Sequence, residues 1–310
     1  MHLSLSDFTR VRVFTHPQSK TPYGFSVGHL DDFLSGIFAR HLGWSFYRLP
    51  QTDEQSVRTR WGEIPSYVLH IACDFPLSTQ EGENVVVFDH HDENGGKCSV
   101  HRLVDWLVEQ GAYPCVPALM DEISDWDVKG AQAIPPAHRP DPDQLAAFLS
   151  LETAQDGTGL VEWKPEEVYA ILWALHTASS IKEFVELVFG TNPIGWRARC
   201  QLEKIQRFKK ETLNRLVAEA EVATSPAGVK HAVLRAAPAA MTTEMFARLG
   251  VDILIHPNER TQGALSVVRD SSGRFGQTPV SELVEVAEEQ VAFRHPGGFM
   301  VVVYPPVTVK

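Results

Sequence analysis

Cysteine is scarce in this chain: four in 310 residues, at Cys73, Cys98, Cys115 and Cys200, with no paired spacing among them. That excludes a disulfide-framed secreted scaffold and a thiolate zinc site, and it leads us to expect reduced thiols in a cytoplasmic protein. Long apolar runs are missing too. Nothing approaches the ~18 consecutive apolar residues of a membrane span, and the opening residues, with Asp7 and Arg10 among them, lack the apolar centre of a secretion signal. No membrane partner is therefore expected. Positive charge is also short, with 28 Lys and Arg against 39 Asp and Glu and a formal net charge of −11. A protein that grips long duplex nucleic acid shows a basic excess to displace counterions, so short oligonucleotides or small phosphodiesters suit this chain better. Internal repeats and low-complexity tracts are absent as well.

What is present is ample apolar material, 44% of residues, in a chain too long for one comfortable core, so two domains are expected. The most informative stretch is Val-Val-Val-Phe-Asp-His-His over 85–91. A buried strand there ends in a carboxylate, Asp89, and two imidazoles, His90 and His91. Adjacent strand residues face opposite ways, so the three need not converge, and an isolated Asp-His-His is about as readily a solvated strand end.

Other segments shift that balance. The β-rich run over 11–14 ends at His16, which Pro17 holds out of the helical region. After a Gly-, Pro- and Ser-containing loop, Gly28-His29-Leu30-Asp31-Asp32 precedes Phe33, Leu34, Ile37, Phe38 and Leu42, whose spacing predicts an amphipathic helix. Asp31 and Asp32 in its first turn suit the helix dipole, which explains them without any ligand. The apolar strand over 67–73 closes at Asp74. Three strands thus end in ligand-type residues, and in a parallel α/β sheet the carboxyl ends share the edge where sites are built. A predicted helix over 100–109 is followed by a segment rich in acidic residues, including Asp121, Asp125 and Asp127.

In this order of motifs the chain resembles the DHH phosphoesterase superfamily, which includes RecJ-type exonucleases, nanoRNases and manganese pyrophosphatases. The resemblance spans roughly residues 11–127, with a weaker echo at the C-terminus. His29-Leu30-Asp31-Asp32 is most similar to the first motif of the melanocyte-proliferating-gene-type branch of hydrolases and exonucleases. Here His16 is separated from Asp31 by a longer loop than that family's first motif has, which makes His16 either a ligand or part of a lid beside the site.

The resemblance implies two divalent ions, Mn2+ first and Mg2+ second, with His16, His29 and Asp31 on one, Asp89, His90 and Asp127 or Asp125 on the other, and Asp74 between them. Imidazole and carboxylate together suit such ions. His91 is implied to contact the scissile phosphate and Asp32 to orient a ligand imidazole. The activity implied is a metal-dependent phosphodiesterase, a 3′-5′ exonuclease on short single-stranded RNA or DNA. Two alternatives stay open: a hydrolase of a small signalling nucleotide or pyrophosphate, and a catalytically degenerate nucleotide-binding or scaffold protein. The partners expected are an oligonucleotide or nucleotide phosphodiester and, for assembly, a homodimer.

The fold class expected is α/β: a parallel-sheet catalytic domain over 1–195, a connector helix within 196–225 and a smaller α/β domain over 226–310. Helices are predicted over 144–151, 166–178, 181–189 and 198–221, with Pro-rich 134–142 as a loop. The basic residues of the longest helix, Arg207 and Lys210 among them, interleave with Glu203 and Glu211 and read best as a solvated face. Strands are predicted over 228–235, 251–255, 264–269 and 300–304. Two spots there are candidates for substrate: Arg260, after a strand end, and His295-Pro296-Gly297-Gly298, which either approaches phosphate closely or forms a plain turn. The second spot is similar to the histidine-containing glycine segment of the family's C-terminal domain.

Overall fold

The structure is a computed structural model that describes every residue except 1–3, 16–18, 21–25, 28, 50–53, 76, 78–83, 90–95, 153–161, 193, 239–240 and 260, with backbone alone at 19, 20, 26, 27 and 131. His16, His90, His91 and Arg260 therefore lie outside the described residues. The chain divides into two units, Met1–Ile205 and Gln206–Lys310.

The first unit is built on four parallel strands, β1 (Arg10–Thr15), β2 (Ser45–Arg48), β3 (Val68–Cys73) and β4 (Val85–Phe88), in the order β2-β1-β3-β4. The helix α1 (Leu30–His41) carries the chain from β1 to β2, and the chain then returns through α2 (Glu54–Trp61) to β3 on the other side of β1. The connections out of β1 thus diverge between β1 and β3, and a crevice opens at such a point outside the carboxyl ends of the strands.

Alternation along the strands sends Val11, Val13, Leu69, Ile71, Cys73 and Phe88 into the main core with Leu34, Ile37 and Phe38 of α1 and Leu103 and Leu107 of α3 (Ser99–Glu109). The opposite face of the sheet places Phe14 and Ala72 with Val57 and Trp61 of α2. The apolar spacing in α1 predicts one buried stripe, yet every residue from Leu30 to Ala39 is buried. The reason is that α1 lies inside the unit, against the sheet, α3, and α4 (Met120–Lys129), with Phe148 and Trp163 on Phe33. Three helices follow, α5 (Pro142–Leu149), α6 (Pro165–Thr177) and α7 (Ile181–Gly190). Pro142 is the first residue of α5, and Asp141 caps it by accepting from the backbone of Asp143 and Gln144. The Pro-Asp-Pro sequence is therefore a helix start as well as a loop end. The division between units falls inside the 26-residue helix α8 (Ile194–Glu219).

The second unit holds a six-stranded mixed sheet. Its strands are β5 (Glu221–Thr224), β6 (Lys230–Val233), β7 (Ile253–Pro257), β8 (Leu265–Arg269), β9 (Val291–Arg294) and β10 (Met300–Val303), in the order β9-β10-β8-β7-β6-β5. Only β6 and β7 among these neighbours are parallel, joined through α9 (Thr242–Leu249). Val267, Val301 and Val303 face one apolar cluster, and Ala232, Leu254 and Met245 another.

Candidate metal centre

The carboxyl edge of the parallel sheet gathers acidic groups from three places in the chain. Residue His29 caps α1 without a side-chain hydrogen bond to it, and Asp31 and Asp32 occupy the first turn. Asp74 follows β3 in the left-handed region, at φ 61. Short polar side chains tolerate that conformation better than others. Asp31, Asp32 and Asp74 are all buried, at 0%, 2% and 1% exposure.

One ligand atom from each of His29, Asp31 and Asp127 lies within 4.8 Å of the others, and the same holds for Asp31, Asp32 and Asp74. Asp31 belongs to both groups. Both of its carboxylate oxygens, and Oδ1 of Asp32, are buried without a hydrogen-bond partner among the described residues. Burial, followed by the nearby Asp127 and Asp74, pushes the Asp31 carboxyl up to about 8. Asp32 is likewise raised by burial and by Asp31, against the opposing pull of Arg48.

Desolvated carboxylates this close together repel unless a proton or cation lies among them. Oxygen donors with one imidazole suit a hard or borderline divalent ion such as Mg2+ or Mn2+. The residues present therefore fit a divalent metal centre.

The sequence-predicted residues separate clearly. His29, Asp31, Asp32, Asp74 and Asp127 come together. Asp125, two positions from Asp127 on α4, lies on the exposed side and pairs with Lys129 at 2.6 Å. A two-residue step turns a helix by more than half a turn, so only one of these carboxylates can face the crevice. Asp89 is half-buried beyond β4 and stands in neither group of three. In the second unit, Gly298 takes a positive φ of 67 in the turn between β9 and β10, and the Gly297 amide donates to His295 Nδ1 at 3.0 Å. The His295 ring rests on Phe299, with centroids 4.0 Å apart. A tight turn accounts for both glycines.

Sequence reasoning misses the support beneath the carboxylates. Glu152, itself 1% exposed, accepts from Arg48 Nε at 2.9 Å and from Arg40 Nη1 at 3.2 Å. Arg48 also approaches Asp32 Oδ2 at 3.6 Å. A Cβ on Gly36 would stand 2.6 Å from Arg40 Nη1 and 2.8 Å from Glu152 Oε1, so glycine in mid-helix is what lets this cluster close. On the other flank, Ser124 Oγ accepts from the Cys98 amide at 3.2 Å and meets His101 Nδ1 at 2.9 Å, joining the start of α3 to the helix that carries Asp127. The one signal for the Arg48 and Glu152 pair is their charge in otherwise apolar surroundings, and a separation of 104 residues hides it.

No protein-family model matches this chain, and no curated protein matches it. Solved structures do. A pGpG-specific phosphodiesterase, PggH from Vibrio cholrae, is 13% identical over 95% of this chain and 92% of its own, with a TM-score of 0.43. The DHH domain of a member of the s1p family of ribosomal proteins is 12% identical over 95% of this chain and 82% of its own, at 0.34. RecJ in complex with Mg2+ from Thermus thermophilus is 12% identical over 94% of this chain, which spans 46% of that protein, at 0.32. Likeness this distant carries no activity across, and the functional reading stands on the site itself.

Proposed function

We propose that this chain is a DHH-type phosphodiesterase whose metal centre is organised by Asp31. The observation that carries the reading is the pair of buried Asp31 oxygens that no described residue hydrogen-bonds, each group of neighbouring donors sharing that one side chain. His29 and Asp127 would hold one divalent ion with Asp31, and Asp32 and Asp74 the other. His16, Asp89 and His90 are the further ligands that the motif resemblance suggests, and His91 the residue that would meet the scissile phosphate. Bound divalent ions supply charge neutralisation of the phosphate and a water acidic enough to ionise near neutral pH.

The protein's own groups do the remainder. Arg48 restrains one oxygen of Asp32 and leaves the other toward Asp31 and Asp74. Glu152, shared between Arg40 of α1 and Arg48 of β2, ties α1 to β2, so the first-turn carboxylates keep their spacing. The overall negative charge suits a short substrate, and we assign a short single-stranded oligonucleotide, cut from its 3′ end with manganese.

The test is metal titration of the purified chain, followed by hydrolysis assays with Mn2+ on a short oligonucleotide, a linear dinucleotide, a cyclic dinucleotide and pyrophosphate, with Asp31→Asn as control. Saturable metal binding and oligonucleotide cleavage, both lost in the variant, are expected. Metal bound equally by the variant, or no hydrolysis of any member of the panel, overturns the proposal.

A further inference from the structure

The amino-terminal end of the same sheet carries a second feature that the carboxylate cluster leaves unused. A cavity of about 620 Å³ is lined there by Arg10 and Arg12 of β1, Ser45 and Tyr47 of β2, Trp44 before it, and an apolar floor that includes Phe8. That volume falls inside the range of small-ligand pockets. Arg10 and Arg12 alternate onto one face of β1, and the register of Arg12 with Ser45 and Phe14 with Tyr47 brings the two β2 residues beside them.

Two rulers separate this cavity from the metal centre. Arg10 and Thr15 are the two ends of β1, about 16 Å apart at ~3.3 Å per residue. Along α1, Asp31 near one end and Leu42, which caps the other and lines the cavity, are eleven steps apart, about 16 Å.

Among the described residues, no carboxylate pairs with either arginine. Arg12 lies across from His70, a buried imidazole held neutral by its surroundings, so the neighbouring strand adds no counter-charge. Two arginines lining one cavity, with no acid paired to them among the described residues, match a phosphate, which a guanidinium can grip bidentately. Beside them, Tyr47 stacks on Phe14 at 5.3 Å and is still 42% exposed. Its ring gives the cavity an aromatic surface next to the charge, on which a planar base can stack, while Trp44 at the rim packs against the main core.

We propose that this cavity binds a mononucleotide, recognised as a phosphate by Arg10 and Arg12 and as a planar ring by Tyr47. The site lies away from the carboxylates and needs no metal.

The experiment uses the full chain carrying Asp31→Asn, in EDTA, with AMP as probe, so that the metal centre contributes nothing and failure here leaves the phosphodiesterase reading intact. Saturable binding of one AMP is expected, weakened at least about tenfold by Arg12→Gln and several-fold by Arg10→Gln, with inorganic phosphate binding more weakly than AMP. Arg10 is exposed, so its variant decides the matter if Arg12→Gln alters the thermal midpoint. Absence of AMP binding, binding unchanged by Arg10→Gln, or inorganic phosphate bound as tightly as AMP overturns the proposal.

Discussion

The two ends of the parallel sheet carry opposite charges in opposite settings. At the carboxyl end, Asp31, Asp32 and Asp74 are buried, with Arg48 as the cation within reach and Glu152 already holding it. At the amino end, Arg10 and Arg12 lie at an open cavity with no acid among the described residues to answer them. Uncompensated charge is costly where water is excluded and cheap where it is not. The acidic end must therefore be neutralised for the fold to be comfortable, whereas the basic end can wait for a ligand. Substitutions at the first should move stability and metal binding strongly. Those at the second should move ligand binding and little else.

The largest effect is expected at Glu152. Replacing it with Ala leaves Arg40 and Arg48 without their shared carboxylate in a buried setting, and breaking such a pair costs about 3–5 kcal/mol. A urea midpoint should fall accordingly with its slope unchanged. A loss under about 1 kcal/mol would show that the acidic end does not depend on this pair, and would remove the contrast between the two ends.

Next comes Asp31→Asn, for which two readouts should move in opposite directions. Divalent-ion affinity, measured by calorimetry, should drop by at least about 100-fold, since even an indirect partner of a metal ligand is worth about 10–100-fold. The metal-free thermal midpoint near neutral pH should rise, because a carboxyl pushed up to about 8 must take up a proton on folding, a cost that the amide does not carry. A midpoint that falls together with metal affinity would mean that Asp31 has a structural role without any metal.

Much of the acidic end is legible in the sequence because it rests on local pattern. Apolar runs ending at Asp74 and Asp89 mark β3 and β4, and the spacing of Phe33, Leu34, Ile37 and Phe38 marks α1 with Asp31 and Asp32 at its head. The motif resemblance makes Asp32 a residue that orients a ligand, yet its oxygen joins the Asp31 and Asp74 group, a distinction of one helical step that periodicity cannot make. The strand β2 escapes sequence reading, because Ser-Phe-Tyr-Arg alternates over only four residues at the sheet's edge. Without β2, Arg48, Tyr47 and the whole amino-end cavity have no place to be assigned. Gly36 carries no meaning until Arg40 and Glu152 stand beside it.

A third prediction probes the ground between the two ends. His70 lies in β3 between Phe14 and Trp61, with ring centroids 4.9 and 5.0 Å away, and burial, with the nearby Arg12 guanidinium, lowers its pKa to about 4. A histidine depressed from 6.5 in this way binds more protons unfolded than folded below about pH 6.5, so stability rises with pH through that window. Its contribution is complete above pH 6.5 and is lost progressively as pH falls toward 4. His70→Phe keeps an aromatic ring there and should flatten this part of the acid dependence in thermal midpoints measured from about pH 7.5 to about 4.5. An identical slope in both proteins would show that His70 does not set the acid dependence, and the raised carboxyls of Asp31 and Asp32 act in the opposite sense.

The smallest effect sharpens the boundary of the acidic end. Asp125 and Asp127 sit on one helix, but Asp125 is spent on a surface pair with Lys129 while Asp127 faces His29 and Asp31. An exposed pair four residues apart is worth about 0.3–0.5 kcal/mol, so Asp125→Ala should lower stability by no more than that and leave divalent-ion affinity unchanged. Asp127→Ala should weaken the ion while barely touching the fold, because it removes a charge that repels Asp31 as well as a ligand. Reversed results, with metal affinity following Asp125, would mean that α4 is turned by roughly half a revolution relative to the crevice. The group formed by His29, Asp31 and Asp127 would then lose one of its three members.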